Sequence, residues 1–77
     1  MTAADLNLGQ KAKIDSLDSK HPSSFRLLEY GFTPGEEIEL INTPLFKDPI
    51  QLAIRGTLIA VRKSDAKCIK VILNKIL

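Results

Sequence analysis

The chain has 77 residues, 44% of them hydrophobic and 26% charged, with a formal net charge of +2. A chain of this length makes one domain, residues 1–77, and buries only about 60% of the surface it exposes when unfolded. It holds no apolar run near the ~20 residues of a membrane-spanning helix, no signal-peptide pattern, and one cysteine, Cys68; this argues against membrane insertion, rules out an internal disulfide, and sets the expectation of a reducing, cytoplasmic setting.

Charge is unevenly spread. Residues 1–46 carry four Lys/Arg against seven Asp/Glu, and residues 47–77 carry seven against two. In a compact domain this gives an acidic and a basic side, which reads either as ordinary solvated charge or as a docking surface.

In chain order, Thr2-Ala3-Ala4-Asp5 has capping-box spacing and predicts a short N-terminal turn before Leu6 and Leu8. Lys11 to Leu17 then alternates as a strand with Ala12 and Ile14 inward. Pro22-Ser23-Ser24 offers an N-cap for a helix from Phe25 to Tyr30, on which Phe25 and Leu28 share a face. Gly31 suits the left-handed position that ends a helix, and Pro34-Gly35 suits a type II turn. Glu36 to Asn42 is a second strand, with Ile38 and Leu40 inward.

Asn42 to Pro49 is a two-proline loop whose tip carries Leu45 and Phe46. These two apolar residues fit no strand's inward set, so they either fold back over the core or meet a partner. Ile50 to Arg55 and Thr57 to Arg62 are strands joined by a tight hairpin in which Gly56 takes a positive φ. Lys63 to Lys67 fits a single helical turn, and Cys68 to Leu73 is the last strand, with Ile69, Val71 and Leu73 inward. About five antiparallel strands, one short helix and one or two single-turn helices make a mainly β fold, a small, partly open barrel of the SH3-like type.

Little catalytic chemistry is on offer. The single histidine, His21, sits in a loop, and Cys68 opens a strand, so a Cys–His nucleophile has thin support. His21, Cys68 and the group Glu36, Glu37 and Glu39 form no recognised metal spacing. No phosphate loop is present, so no bound nucleotide, cofactor or resident metal is expected, and no enzyme activity. Of the four aromatics, Phe25, Tyr30 and Phe32 belong to the helix and its exit and Phe46 to a loop, which leaves no stacking platform for nucleic acid. Arg26 and Glu29, three residues apart, are the pair expected to tie the helix to the barrel or to a partner.

Four segments carry a resemblance. Leu6-Asn7-Leu8-Gly9-Gln10 looks like an opening L-x-x-G-Q, and Arg26 to Gly35 like R-L-x-x-[LMY]-G-[LF]-x-P-G. Asp48-Pro49-Ile50 looks like a loop exit into the third strand, and Gly56 to Ala66 like G-x-x-[IL]-A-[LV]-R-x-x-[DE]-A. In this order they resemble the FeoA family of small ferrous iron transport proteins. Phe46-Lys47 stands where that family usually has Gly before Asp-Pro. The resemblance implies an SH3-like barrel and an accessory or regulatory role with the membrane ferrous iron transporter FeoB, which carries a cytosolic GTP-binding domain; the transporter's cytosolic region is the implied partner. It does not imply that the chain carries iron. The candidate partner residues come from the loop and the helix themselves rather than from the resemblance: Leu45 and Phe46 at the loop tip, and Arg26 and Glu29 on the helix, with Gly31, Pro34, Gly35 and Gly56 shaping turns. The same fold occurs in iron-dependent transcriptional repressors, so a free-standing module binding peptide or nucleic acid elsewhere is the alternative. Self-association is left open.

Overall fold

Short alternating segments separated by turn residues produce short strands, and the strands here run within one residue of the patterns that forecast them. The structure, a computed structural model, describes residues 1–43 and 47–73. A 3₁₀ turn at Ala3–Asp5 precedes β1 (Lys11–Leu17), α1 (Ser24–Glu29), β2 (Glu37–Asn42), β3 (Ile50–Ile54), β4 (Thr57–Val61), α2 (Lys63–Ala66) and β5 (Ile69–Leu73). The five strands form one antiparallel sheet in the order β4-β3-β2-β1-β5. No helix among the described residues is long and apolar enough to cross a membrane.

Among the described residues the sheet does not close into a barrel, because β4 and β5 do not pair. The N-terminal segment occupies the edge that closure would need. Thr2 bridges Lys70, and the Val71 N–H donates to the Met1 carbonyl at 3.0 Å. The Asp5 carboxylate holds this segment in shape by accepting the Thr2 N–H at 2.8 Å, and that bond keeps its pKa below the usual carboxylate range.

The inward rows are the expected ones. Ala12, Ile14, Ile38, Leu40, Ile50, Leu52, Ile54, Val61, Ile69 and Val71 are all buried. Leu73 and Ile59 are partly buried against them. Bulges interrupt the ladders between Ile14 and Ser16 and between Leu40 and Asn42, and such irregularities bend the strands over the core. On the outer face Lys11 lies opposite Glu39 and Lys13 opposite Glu37, cross-strand pairings worth roughly 0.2–1 kcal/mol each.

One end of this core is plugged by the exit of α1. The Gly31 N–H bonds to the Leu28 carbonyl and the Phe32 N–H to the Leu27 carbonyl, both at 3.0 Å, while Gly31 takes φ +103°. These two bonds define a Schellman ending, whose usual companion is an apolar contact between the residues here occupied by Leu27 and Phe32. Both are buried, and Phe32 is fully so. The type II turn follows as forecast: the Glu36 N–H bonds to Thr33 O, and Gly35 has φ +93°. Two further bonds, Gly35 N to Ile14 O and Ile14 N to Glu36 O, fasten the turn to β1.

At the β3–β4 hairpin Gly56 has φ +78° as expected, but Arg55 also lies in the left-handed region at φ +50°. Two positive φ values make a type I′ turn, which favours Asn before Gly. A left-handed residue with a Cβ costs about 1–2 kcal/mol. The Arg55–Glu36 ion pair, 4.0 Å apart and largely exposed, returns at most ~1 kcal/mol. Arg55→Asn is therefore expected to raise the melting temperature slightly. A fall on thermal melting would show that the ion pair outweighs the turn. Lys47 has φ +62°, so the backbone keeps a left-handed residue at the position where the resemblance has Gly.

Candidate interaction surface

A helix of only six residues cannot hold its place by its own hydrogen bonds, so its position rests on packing and on side-chain ties. Packing comes from Ser24 and Leu27, its two buried residues. The ties come from the segment before it. The Ser23 N–H donates to His21 Nδ1 at 3.1 Å, which makes that nitrogen an acceptor, so Nε2 carries the proton and donates to Ser64 O at 3.1 Å. Ser23 Oγ donates to Asp65 Oδ1 at 2.7 Å. Ser23 thus sits at the N-cap position but does not cap its own helix; its hydroxyl reaches across to α2. α2 is held in turn by Asp48, whose carboxylate accepts the Lys63 N–H at 3.0 Å. The loop after β2 and both helices are joined in one polar frame.

Ser23→Ala removes the charged-acceptor bond between α1 and α2. Because Asp65 is half-buried and water can replace part of the bond, the loss is expected at about 1–2 kcal/mol. An unchanged midpoint in urea unfolding would show that this bond contributes nothing.

Held in this way, α1 leaves large apolar groups in solvent. Phe25 is 77% exposed, Tyr30 52% and Leu28 38%. Phe25 and Leu28 do share a face, but it is the outer one. Leu27 is the inward leucine, because it is the residue that meets Phe32 at the Schellman ending. That contact rule was the sequence signal that could have separated the two.

Arg26 and Glu29 are exposed on α1, and no ion pair joins them. The helix is tied down by Ser23, His21 and Asp65 instead, residues 42 and 43 positions from their partners, which local spacing does not reveal. Arg26 lines a shallow groove of about 160 Å³ together with Tyr30 at the end of α1, Ala60 and Val61 on β4, and Arg62 and Asp65. That is below the ~300–1,000 Å³ of usual small-molecule sites and suits a single side chain. Gly31, Pro34, Gly35 and Gly56 lie in the turns assigned to them, and Leu45 and Phe46 lie outside the described residues.

No Cys–His pair forms. Both ring nitrogens of His21 are taken by backbone groups. Cys68 is buried, its thiol donates to Asp18 O at 3.5 Å, and burial pushes its pKa up, which keeps it protonated and inert. Among the described residues no three His, Cys, Asp or Glu side chains come together as a ligand set.

Comparison with known proteins gives this surface a context. Residues 1–73 match the model of the FeoA domain. A Campylobacter jejuni protein provisionally named Fe(2+) transport protein A is 32% identical over 71 residues, which is 92% of this chain and 96% of that protein. The solution structure of iron(II) transport protein A from Clostridium thermocellum is 34% identical with a TM-score of 0.87; it covers 95% of this chain, which spans only 45% of that one. The Stenotrophomonas maltophilia FeoA crystal structure, a zinc complex described as a prokaryotic SH3 domain protein and offered as a ferrous iron transport activating factor, is 32% identical with a TM-score of 0.81 over 92% of this chain and 88% of its own. The fold is thus SH3-like, and the chain belongs to the FeoA family of ferrous iron transport accessory proteins.

Proposed function

We propose that this protein serves bacterial ferrous iron uptake as a non-catalytic accessory that binds the cytosolic, GTP-binding region of the transporter FeoB. The observation that carries the reading is the solvent-facing apolar side of α1, a helix tied down through Ser23 and Asp65, on which Phe25 is the most exposed side chain. An exposed aromatic on a fixed element is the kind of residue that dominates a protein interface. The protein acts in this reading in the cytoplasm, drawn to the inner face of the membrane by its partner. Arg26 and Glu29, unpaired beside the apolar residues, supply the polar margin of the contact. Leu45 and Phe46 are proposed as a second contact, on the strength of their sequence alone.

The test is Phe25→Ser with Leu28→Ser, measured for binding to the transporter's cytosolic region and for stability. Truncating a central aromatic costs ~2 kcal/mol or more at an interface, about a thirtyfold loss of affinity, whereas exposed positions change stability by only about ±0.5 kcal/mol. Lost binding with an unchanged melting temperature supports the reading. Binding equal to that of the wild type removes α1 from the contact. The same comparison with Leu45→Ser and Phe46→Ser tests the loop tip.

A further inference from the structure

β4 is an edge strand without the usual defences. Natural edges are blunted by charge, proline, a bulge or a covering segment. β5, the other edge of the sheet, is covered by Met1 and Thr2 and carries Lys70. β4 reads Thr57-Leu58-Ile59-Ala60-Val61, with no charge and no proline, and its ladder with β3 has no bulge.

The register shows which groups the edge offers. The type I′ turn closes on the pair Ile54 and Thr57, so bonded pairs alternate from there: Leu52 with Ile59, then Ile50 with Val61. Leu58 and Ala60 therefore turn their N–H and C=O groups away from β3, and among the described residues no bond reaches them from the other side. Leu58 is also 57% exposed. A row of unmet backbone donors and acceptors is a template for an added strand.

The charge around this edge selects the strand it would accept. Arg62 follows β4 and lines the groove with Arg26 and Ala60, whereas Arg55, which precedes β4, is already paired with Glu36. The one carboxylate lining the groove, Asp65, already accepts the Ser23 hydroxyl. A second copy of this chain fits poorly. Pairing Leu58 with Ala60 of the other copy would bring Arg62 of each molecule beside Gly56 of the other, and β4 carries no carboxylate to meet it.

We propose that the free edge of β4 receives an extended segment of a partner protein as a sixth strand, and that this segment carries carboxylates flanking an apolar centre. The backbone of Leu58 and Ala60 supplies the ladder. Arg26 and Arg62 take the carboxylates at the groove end, and the groove takes one side chain. The inference deepens the accessory-protein reading and rests on it for the partner's identity, but not for the chemistry of the edge.

The test uses the full chain, isotope-labelled for NMR, and a short probe peptide of alternating valine and threonine with glutamates at both ends. Its counterpart has lysines at the ends. The glutamate peptide should shift and protect the amides of Leu58 and Ala60, and should bind about tenfold tighter than the lysine peptide. Ala60→Pro deletes one outward donor while sparing the β3 ladder, and should abolish the effect. Arg26→Glu with Arg62→Glu, which leaves the edge backbone intact, should reverse the preference between the peptides and serves if Ala60→Pro fails to fold. Equal binding of both peptides, or shifts centred away from β4, would overturn the proposal. So would a concentration-dependent dimer abolished by Ala60→Pro, since the edge would then belong to a second copy. If the probe binds as expected and the transporter region does not bind at all, the accessory reading fails and the edge chemistry stands. If the transporter region binds Ala60→Pro as well as wild type, the reading stands and the edge proposal falls.

Discussion

Phe32→Ala is expected to cost about 3–5 kcal/mol, enough to leave much of the population unfolded at ordinary temperature. Phe32 is fully buried and is one of the largest side chains in the core. It stands just past the end of α1 and packs in the same cluster as Leu27, so its loss opens a cavity at the point where the helix is seated on the sheet. A domain of 77 residues has a total stability of only about 4–12 kcal/mol at ~0.05–0.15 kcal/mol per residue. The check is urea unfolding of Phe32→Ala beside Phe25→Ala. The exposed Phe25 should give a change within about ±0.5 kcal/mol. Equal effects from the two aromatics would contradict the assignment of inner and outer faces.

Gly31→Val is expected to cost about 1–3 kcal/mol, and through a different cause. A Cβ built on Gly31 meets nothing within 4 Å, so no collision is involved. The cost is conformational: φ is +103°, well beyond the left-handed well near +57° that a side chain tolerates. A β-branched residue there must either bear the strain or release the Schellman bonds to Leu27 and Leu28 that end α1 and position Phe32. Gly31→Ala should also destabilise, by less, although it adds no contact. Unchanged unfolding midpoints in both variants would show that the helix ending does not depend on a left-handed residue. Gly56→Val, at φ +78° in the hairpin, should follow the same pattern.

The strands were legible because a sheet buried on one face writes itself in steps of two residues. Ile50, Leu52 and Ile54 on β3 are the plainest case, and all three are buried. α1 was legible as an element but not in its orientation. With six residues it has too little length for periodicity to choose between Leu27 and Leu28, and Phe32 makes that choice from outside the helix. Arg26 and Glu29 looked like a local pair by spacing, yet the actual tie is Ser23 to Asp65, set by the tertiary approach of two helices distant in sequence. That the barrel would be partly open was expected, but where it stays open was out of reach. Nothing in the period of β5 says that Met1 and Thr2 will take its outer edge, and it is this that leaves β4 as the bare edge at the opposite side of the sheet. The second positive φ of the hairpin was hidden for a simpler reason: Arg55 is an unusual residue to find in a left-handed turn.

The protein is proposed to work by presenting a fixed surface to the transporter. The most direct measurement is an NMR titration of the isotope-labelled chain with the cytosolic GTP-binding region of FeoB from the same organism. Amide shifts should concentrate on residues 24–29 of α1 and on Leu58 and Ala60 of β4, with Ala12 and Ile14 of the interior strand β1 unmoved. Saturable shifts centred on the face built from β1 and β5, or none at concentrations well above the micromolar range, would contradict it.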